Sequence, residues 1–155
     1  MFDLNEEIIC RGTSAWLLLD SKSFRPKILP QIFPEIKMNE SKEALADLPQ
    51  KIIPAQQTEI MYTTQVRYSD VDMNQHANNA KYIELMLDCF NQEFHKKYTI
   101  KSLTVSFNAE SKYGDEIQLC KGTEIENPLT HYTEAKNQTN NKIVFQAIAE
   151  WKSLN

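Results

Sequence analysis

The segment Val66-Arg67-Tyr68-Ser69-Asp70-Val71-Asp72-Met73-Asn74-Gln75-His76-Ala77-Asn78-Asn79-Ala80-Lys81-Tyr82-Ile83 passes from a strand through a polar loop into a helix. Residues 61–68 are rich in β-branched and aromatic side chains, which suit a pleated, half-buried surface. Residues 69–75 are mostly polar and loop-like. Asn78 and Asn79 are of a type that caps helices. After them, apolar side chains recur at Tyr82, Leu85, Met86, Cys89, Phe90 and Phe94, the i, i+3, i+4 spacing of one helical face. Lys81, Glu84, Asp88, Asn91 and Glu93 fall on the opposite face. The pattern predicts one long amphipathic helix ending near Tyr98.

Downstream of the helix the apolar period changes to that of strands. Residues 100–109 alternate through Leu103, Val105 and Phe107, and residues 115–125 carry Ile117, Leu119 and Cys120. Residues 129–137 and 143–151 complete the set, the last with Val144, Phe145, Ala147 and Ala149. Turn chemistry separates these runs at Tyr113-Gly114-Asp115 and at Asn137-Gln138-Thr139-Asn140-Asn141. A strand, a long helix and then four strands in antiparallel series define an α+β class. One antiparallel sheet wraps around one long helix, and its concave face buries the stripe from Tyr82 to Phe94.

The upstream part is less regular. Residues 8–20 suit a strand, with Gly12 at a bulge or bend. The polar turn Asp20-Ser21-Lys22-Ser23 leads into a second strand reaching Leu29. Pro26, Pro30 and Pro34 interrupt regular structure. A short helix is expected over residues 41–48 behind Ser41 as N-cap, and residues 49–57 form a connector.

Composition narrows the function classes. The chain has 155 residues, 41% apolar and 25% charged, which is ordinary for a globular protein rather than a disordered or membrane one. The longest apolar run, residues 15–19, is far too short to span a bilayer. No basic stretch followed by an apolar one opens the chain, so a cytoplasmic location is expected. A net charge of -4 argues against a general nucleic-acid binder. Cys10, Cys89 and Cys120 are too few and too scattered for a disulfide framework, and no Cys/His cluster suggests a metal, so no cofactor is expected.

The chemistry concentrates in Asp72, Asn74 and His76, spaced by two. In an extended loop, alternate residues point the same way, so a carboxylate, an amide and an imidazole would face one site. Asp72 can accept a proton or orient a donor, Asn74 can bind a polarised carbonyl, and His76 can hold water or stabilise developing charge. The loop ends at a helix N-terminus, where the dipole favours an oxyanion. His95, near a helix C-terminus, and His131, beside Thr130 and Tyr132, have no comparable surroundings. Lys96, Lys97 and Lys101 form a short basic cluster that reads as a solvated face.

Residues 66–83 resemble the second hot-dog domain of the acyl-ACP thioesterases, which contain two such domains in one chain and release fatty acids from acyl carrier protein. The match is carried by Tyr68, Ser69, Asp70, Asp72, Asn74, His76, Asn78, Asn79 and Tyr82. Phe107-Asn108-Ala109-Glu110-Ser111-Lys112-Tyr113-Gly114-Asp115-Glu116 is similar to the family's strand that ends in a glutamate before a Gly-Asp turn. Ala15-Trp16-Leu17-Leu18-Leu19-Asp20 with Arg25-Pro26 is similar to the end of the family's first domain. The resemblance implies a hot-dog fold, acyl carrier protein bearing a fatty acyl thioester as partner, and a catalytic set of Asp72, Asn74, His76 and Glu110. In that set Glu110 is the favoured base and Asp72 orients the Asn/His pair. Plant members often carry cysteine after the glutamate. This chain has Ser111, so hydrolysis by activated water is the simpler chemistry.

Set against the family, the chain is expected to be N-terminally truncated. Residues 1–34 would be remnant strands of a first hot-dog domain, 35–57 a linker with a short helix, and 58–155 a complete hot-dog domain. The acyl groove of the family lies largely in the first domain, so impaired activity and a homo-oligomer are expected. The rivals are a single-hot-dog acyl-CoA thioesterase and an inactive acyl-binding remnant.

Overall fold

The computed structural model describes residues 1, 5–20, 22, 23, 25–35, 44, 45, 50–122 and 127–154. The chain divides into two compact units, Met1–Gln50 and Lys51–Asn155. In the first, β1 (Leu18–Leu19) pairs antiparallel with β2 (Pro26–Lys27). Their turn is organised by Asp20, whose Oδ1 accepts the N–H groups of Lys22 at 3.2 Å and Ser23 at 2.8 Å, and the Ser23 hydroxyl at 2.9 Å. A four-residue helix, α1 (Leu29–Ile32), follows, with Pro30 in its first turn. Of the strand expected over residues 8–20, the described residues keep β1 and a bridge residue at Ile8, and a two-stranded hairpin by itself buries little apolar surface. Trp16 is 83% exposed accordingly. The helix expected over residues 41–48 falls largely outside the described residues.

The second unit holds one five-stranded sheet. Its elements are β3 (Thr58–Gln65), α2 (Asn79–Leu87), α3 (Gln92–His95), β4 (Tyr98–Phe107), β5 (Glu116–Gly122), β6 (Thr130–Asn137) and β7 (Lys142–Ser153). The strand order is β3-β5-β6-β7-β4, and every neighbouring pair is antiparallel. Strands β5, β6 and β7 form the expected meander. Strand β4 differs from the simple series: it pairs with β7, in the register Leu103↔Ala149, and not with β5. The two strands that flank the helices in sequence therefore occupy opposite edges, and the meander fills the space between them.

The helical layer lies on one face of this sheet. Met86, Tyr82, Cys89 and Phe90 are buried with Ile117, Leu119, Ala135, Phe145, Ala147, Ala149 and Trp151. Tyr82 stacks on Phe145 at 5.7 Å between ring centroids. Burying each large apolar side chain is worth about 1.5–3 kcal/mol. Leu85 and Phe94 are only partly buried, packed at the margin of the core. Alanines at 135, 147 and 149 leave room for the helix to approach the central strands.

The long helix of the sequence pattern is in fact two. After Leu87 the backbone tightens, with the Cys89 N–H bound to Met86 O and the Phe90 N–H to Leu87 O. Asn91 then starts α3 as its N-cap, its Oδ1 accepting the Phe94 N–H at 2.9 Å. Its short polar side chain competes for backbone donors, as Asn does wherever a helix can restart. The opposite face of the sheet is partly covered by the segment before β3. Ile52 is buried, and a Cβ on Gly122 would stand 3.1 Å from the Ala55 Cβ, so glycine at 122 lets that segment lie close.

Candidate active site

The site loop runs between the end of β3 and the start of α2. It is a closed turn, not the extended chain that the alternate spacing suggested. Val71 and Ala77 face each other in an isolated antiparallel bridge, the Asp72 N–H donates to His76 O at 2.9 Å, and Gln75 takes a left-handed φ of 65°. Asp72 causes the turn: its Oδ1 accepts the N–H of Asn74 at 2.8 Å and that of His76 at 3.4 Å. An aspartate that binds the backbone two residues on is a standard turn former. Its Oδ1 is therefore engaged by the loop itself, and the Asn74 side chain stands exposed at the turn.

Glu110 approaches from the segment after β4. Its Oε2 lies 3.1 Å from His76 Nε2, with the glutamate side chain 70% and the histidine side chain 29% exposed. A carboxylate only accepts hydrogen bonds, so the proton of this contact sits on Nε2. The structure thus brings His76 and Glu110 into direct contact, sets Asp72 beneath the loop through the backbones of Asn74 and His76, and leaves Asn74 at the rim.

The two halves of the contact are tied by their neighbours in sequence. The Ala77 N–H, just after His76, donates to Ser111 O, just after Glu110, at 2.8 Å. Asn78 caps α2, its Oδ1 accepting the Ala80 N–H at 2.9 Å, and the Asn78 N–H donates to Asp70 O at 2.8 Å. The cap consumes the Ala80 donor, so the helix end offers its dipole there rather than that N–H.

Ser111 is fully buried, and its hydroxyl accepts from Asn137 Nδ2 at 3.2 Å rather than facing His76. No cysteine substitutes for it as a nucleophile. Burial pushes the Cys89 thiol up to about 12 and raises that of Cys120, and only Cys10, in the other unit, is exposed. Thiols held protonated in this way are inert. Of the remaining candidates, His95 Nε2 lies 3.0 Å from Leu87 O, and His131 packs edge-on against Phe90. In the basic cluster, Lys96 and Lys101 pair with Glu93 and Glu150. Among the described residues no group of acidic, histidine or cysteine side chains could hold a metal ion.

A cavity of about 60 Å³ lies between β3 and α2, lined by Arg67, Asp70, Lys81, Tyr82 and Leu85 among others. It has room for roughly two water molecules, well below the size of a ligand pocket. What the sequence pattern did not single out is Asn137, read there only as the start of a polar turn. Its one legible signal is its place at the end of a strand whose second half alternates buried and half-buried residues.

Comparison with known proteins shows the family and the fold. Residues 53–153 match the family model described as the acyl-ACP thioesterase C-terminal domain. The chain is 28% identical over 135 residues to oleoyl-acyl carrier protein thioesterase 2, chloroplastic, of Arabidopsis thaliana, covering 79% of this chain and 36% of that protein. It is 30% identical over 111 residues to palmitoyl-acyl carrier protein thioesterase, chloroplastic, of Gossypium hirsutum, covering 67% of this chain and 27% of that one. The chain thus spans about a third of the length of these relatives. Among solved structures, an acyl-ACP thioesterase from Bacteroides thetaiotaomicron superimposes with a TM-score of 0.72 at 20% identity, over 86% of this chain and 53% of the other. The 12:0-ACP thioesterase from Umbellularia californica does so with a TM-score of 0.59 at 20% identity, over 87% and 52%. These likenesses establish the hot-dog fold.

Proposed function

The chain belongs to the acyl-ACP thioesterase family, and from that membership we propose that it hydrolyses the fatty acyl thioester of acyl carrier protein. Water adds to the thioester carbonyl, the carbon–sulfur bond breaks, and the products are the free fatty acid and the carrier thiol. The observation that carries this reading is Glu110 Oε2 in contact with His76 Nε2 at 3.1 Å, at the N-terminal end of α2.

The roles follow from the bonds each group already makes. Glu110 keeps lone pairs free beyond its contact with His76, so it takes the proton from the attacking water. His76 donates from Nε2 and holds that carboxylate in place. Asn74 supplies a neutral amide at the rim, suited to the thioester carbonyl, and the dipole of α2 favours the negative charge that develops on its oxygen. Asp72 works through the backbone, fixing the turn that carries both Asn74 and His76. The proton taken by Glu110 is returned to the departing thiolate.

The test is thiol release from a chain-length series of acyl-ACPs and from the matching acyl-CoAs, with the Glu110→Ala variant as background. Hydrolysis of acyl-ACP above that background is expected. Turnover of acyl-CoA alone would assign the chain to the other thioester class, and turnover of neither would leave an acyl-binding protein.

A further inference from the structure

We propose that Asn137 is a positioning residue for Glu110, an inference that rests on the reading of Glu110 and His76 as the reaction centre. Asn137 closes β6, on the far side of β5 from the site loop in sheet order, and is fully buried. Its amide uses its whole hydrogen-bonding capacity. Nδ2 donates to Asp115 Oδ2 at 2.7 Å and to Ser111 Oγ at 3.2 Å, while Oδ1 accepts the N–H groups of Thr139 at 2.9 Å and Asn140 at 3.3 Å. The amide orientation is decided by these partners. The reverse would set Oδ1 against a carboxylate and the NH2 against two N–H donors.

The two bonds from Nδ2 clamp the turn that begins directly after Glu110, and the two accepted by Oδ1 fix the turn that follows β6. Asp115 Oδ2 also accepts the Lys112 N–H at 2.9 Å, and the Asp115 N–H donates to Lys112 O at 3.0 Å. The same turn is sewn to the end of β3 by the Gly114 N–H to Val66 O and the Val66 N–H to Asp115 O, both at 2.9 Å. Ser111 is the shared member. Its hydroxyl is held by Asn137, and its carbonyl accepts the Ala77 N–H beside His76. Asn137, Ser111 and Ala77 therefore form a continuous chain from the sheet interior to the backbone joining the two reacting side chains. Glu110 itself is mostly exposed, and among the described residues its side chain contacts His76, so its placement depends on this backbone support. A buried amide with all four bonds satisfied has one arrangement available, which makes it a rigid anchor.

The experiment pairs amide hydrogen exchange with kinetics on the full chain carrying Asn137→Ala, Glu110→Ala or both. Asn137→Ala should lower the protection of the Ala77 amide at least tenfold while amides of the β4–β7 ladder keep theirs, which shows that the fold persists. Its kcat on acyl-ACP should fall by about tenfold with KM little changed, the size expected of a misplaced catalytic group. In the Glu110→Ala background the same substitution should cost nothing further, because both act through one group. Unchanged Ala77 protection, or kinetic losses that simply multiply, overturns the positioning role. If no variant and no wild-type chain turns over acyl-ACP, the functional reading fails instead. The exchange result then still decides whether Asn137 holds the bridge.

Discussion

Asp72 shows how much a single side chain can decide. By its type and spacing it is a catalytic carboxylate, yet its Oδ1 is spent on the N–H groups of Asn74 and His76. The carboxylate that directly contacts the His76 ring is Glu110. Glu110→Ala should therefore lower kcat on acyl-ACP about a hundredfold or more, the usual effect of losing a general base. Steady-state kinetics settle the point, and an unchanged kcat would remove Glu110 from the mechanism. A second residue bears on stability. Burial among the aromatic rings, and then the charge of Lys121, push His131 below the ordinary histidine value of 6.5, and its buried Nδ1 has no hydrogen-bond partner among the described residues. The unfolded chain then binds a proton that the folded chain resists, so stability is full above about 6.5 and is lost as the pH falls toward the folded value. His131→Phe should flatten that part of the curve. Urea midpoints measured between neutral and mildly acid pH, with the same slope in both proteins, would contradict the assignment.

The elements show which parts of the fold a sequence can disclose. The strands β5, β6 and β7 are legible because alternation and turn residues are local signals, and the observed bounds fall close to the expected ones. The placement of β4 beside β7 is not, since pairing across the sheet is a non-local choice. The interrupted helix is concealed for a different reason. Phe90 and Phe94 continue the apolar stripe in register, while Asn91 sits where a polar face residue belongs, so the stripe looks unbroken. The turn at Asp72 is concealed likewise, because alternate spacing looks the same in an extended chain and in a closed one. Of the candidate site, the residue types were legible and the distances were not, and Asn137 left almost no trace because its work is done from inside the sheet. Two substitutions probe this level. Met86→Ala, at a fully buried position under α2, should cost about 2–5 kcal/mol. Asn91→Ala should cost about 1 kcal/mol, the value of a lost N-cap. Chemical denaturation of both variants ranks them, and the reverse order would mean that α3 is held by its cap rather than by Phe94.

At the scale of the whole sheet-bearing unit, the proposed reaction centre is exposed. Glu110 is largely open to water, where a carboxylate is well solvated and electrostatic stabilisation of a transition state is weak. The sheet is open at both ends of its strand order, with β3 and β4 each paired on one side only among the described strands. Strand β4 is long, and unpaired backbone along such an edge is a template for another strand. Apolar side chains also stand free, among them Ile53, Ile60 and Met73, the last on the site loop itself. We propose that the chain works as a homo-oligomer, in which a second surface covers the reaction centre and lowers its dielectric. Two measurements made together test this. Sedimentation velocity should show a dimer or larger species that dissociates on dilution, and specific activity on acyl-ACP should fall over the same concentration range. Activity per chain that stays constant while the protein is a monomer throughout would show that the exposed His76–Glu110 pair suffices, and that the free edge of β4 serves another purpose.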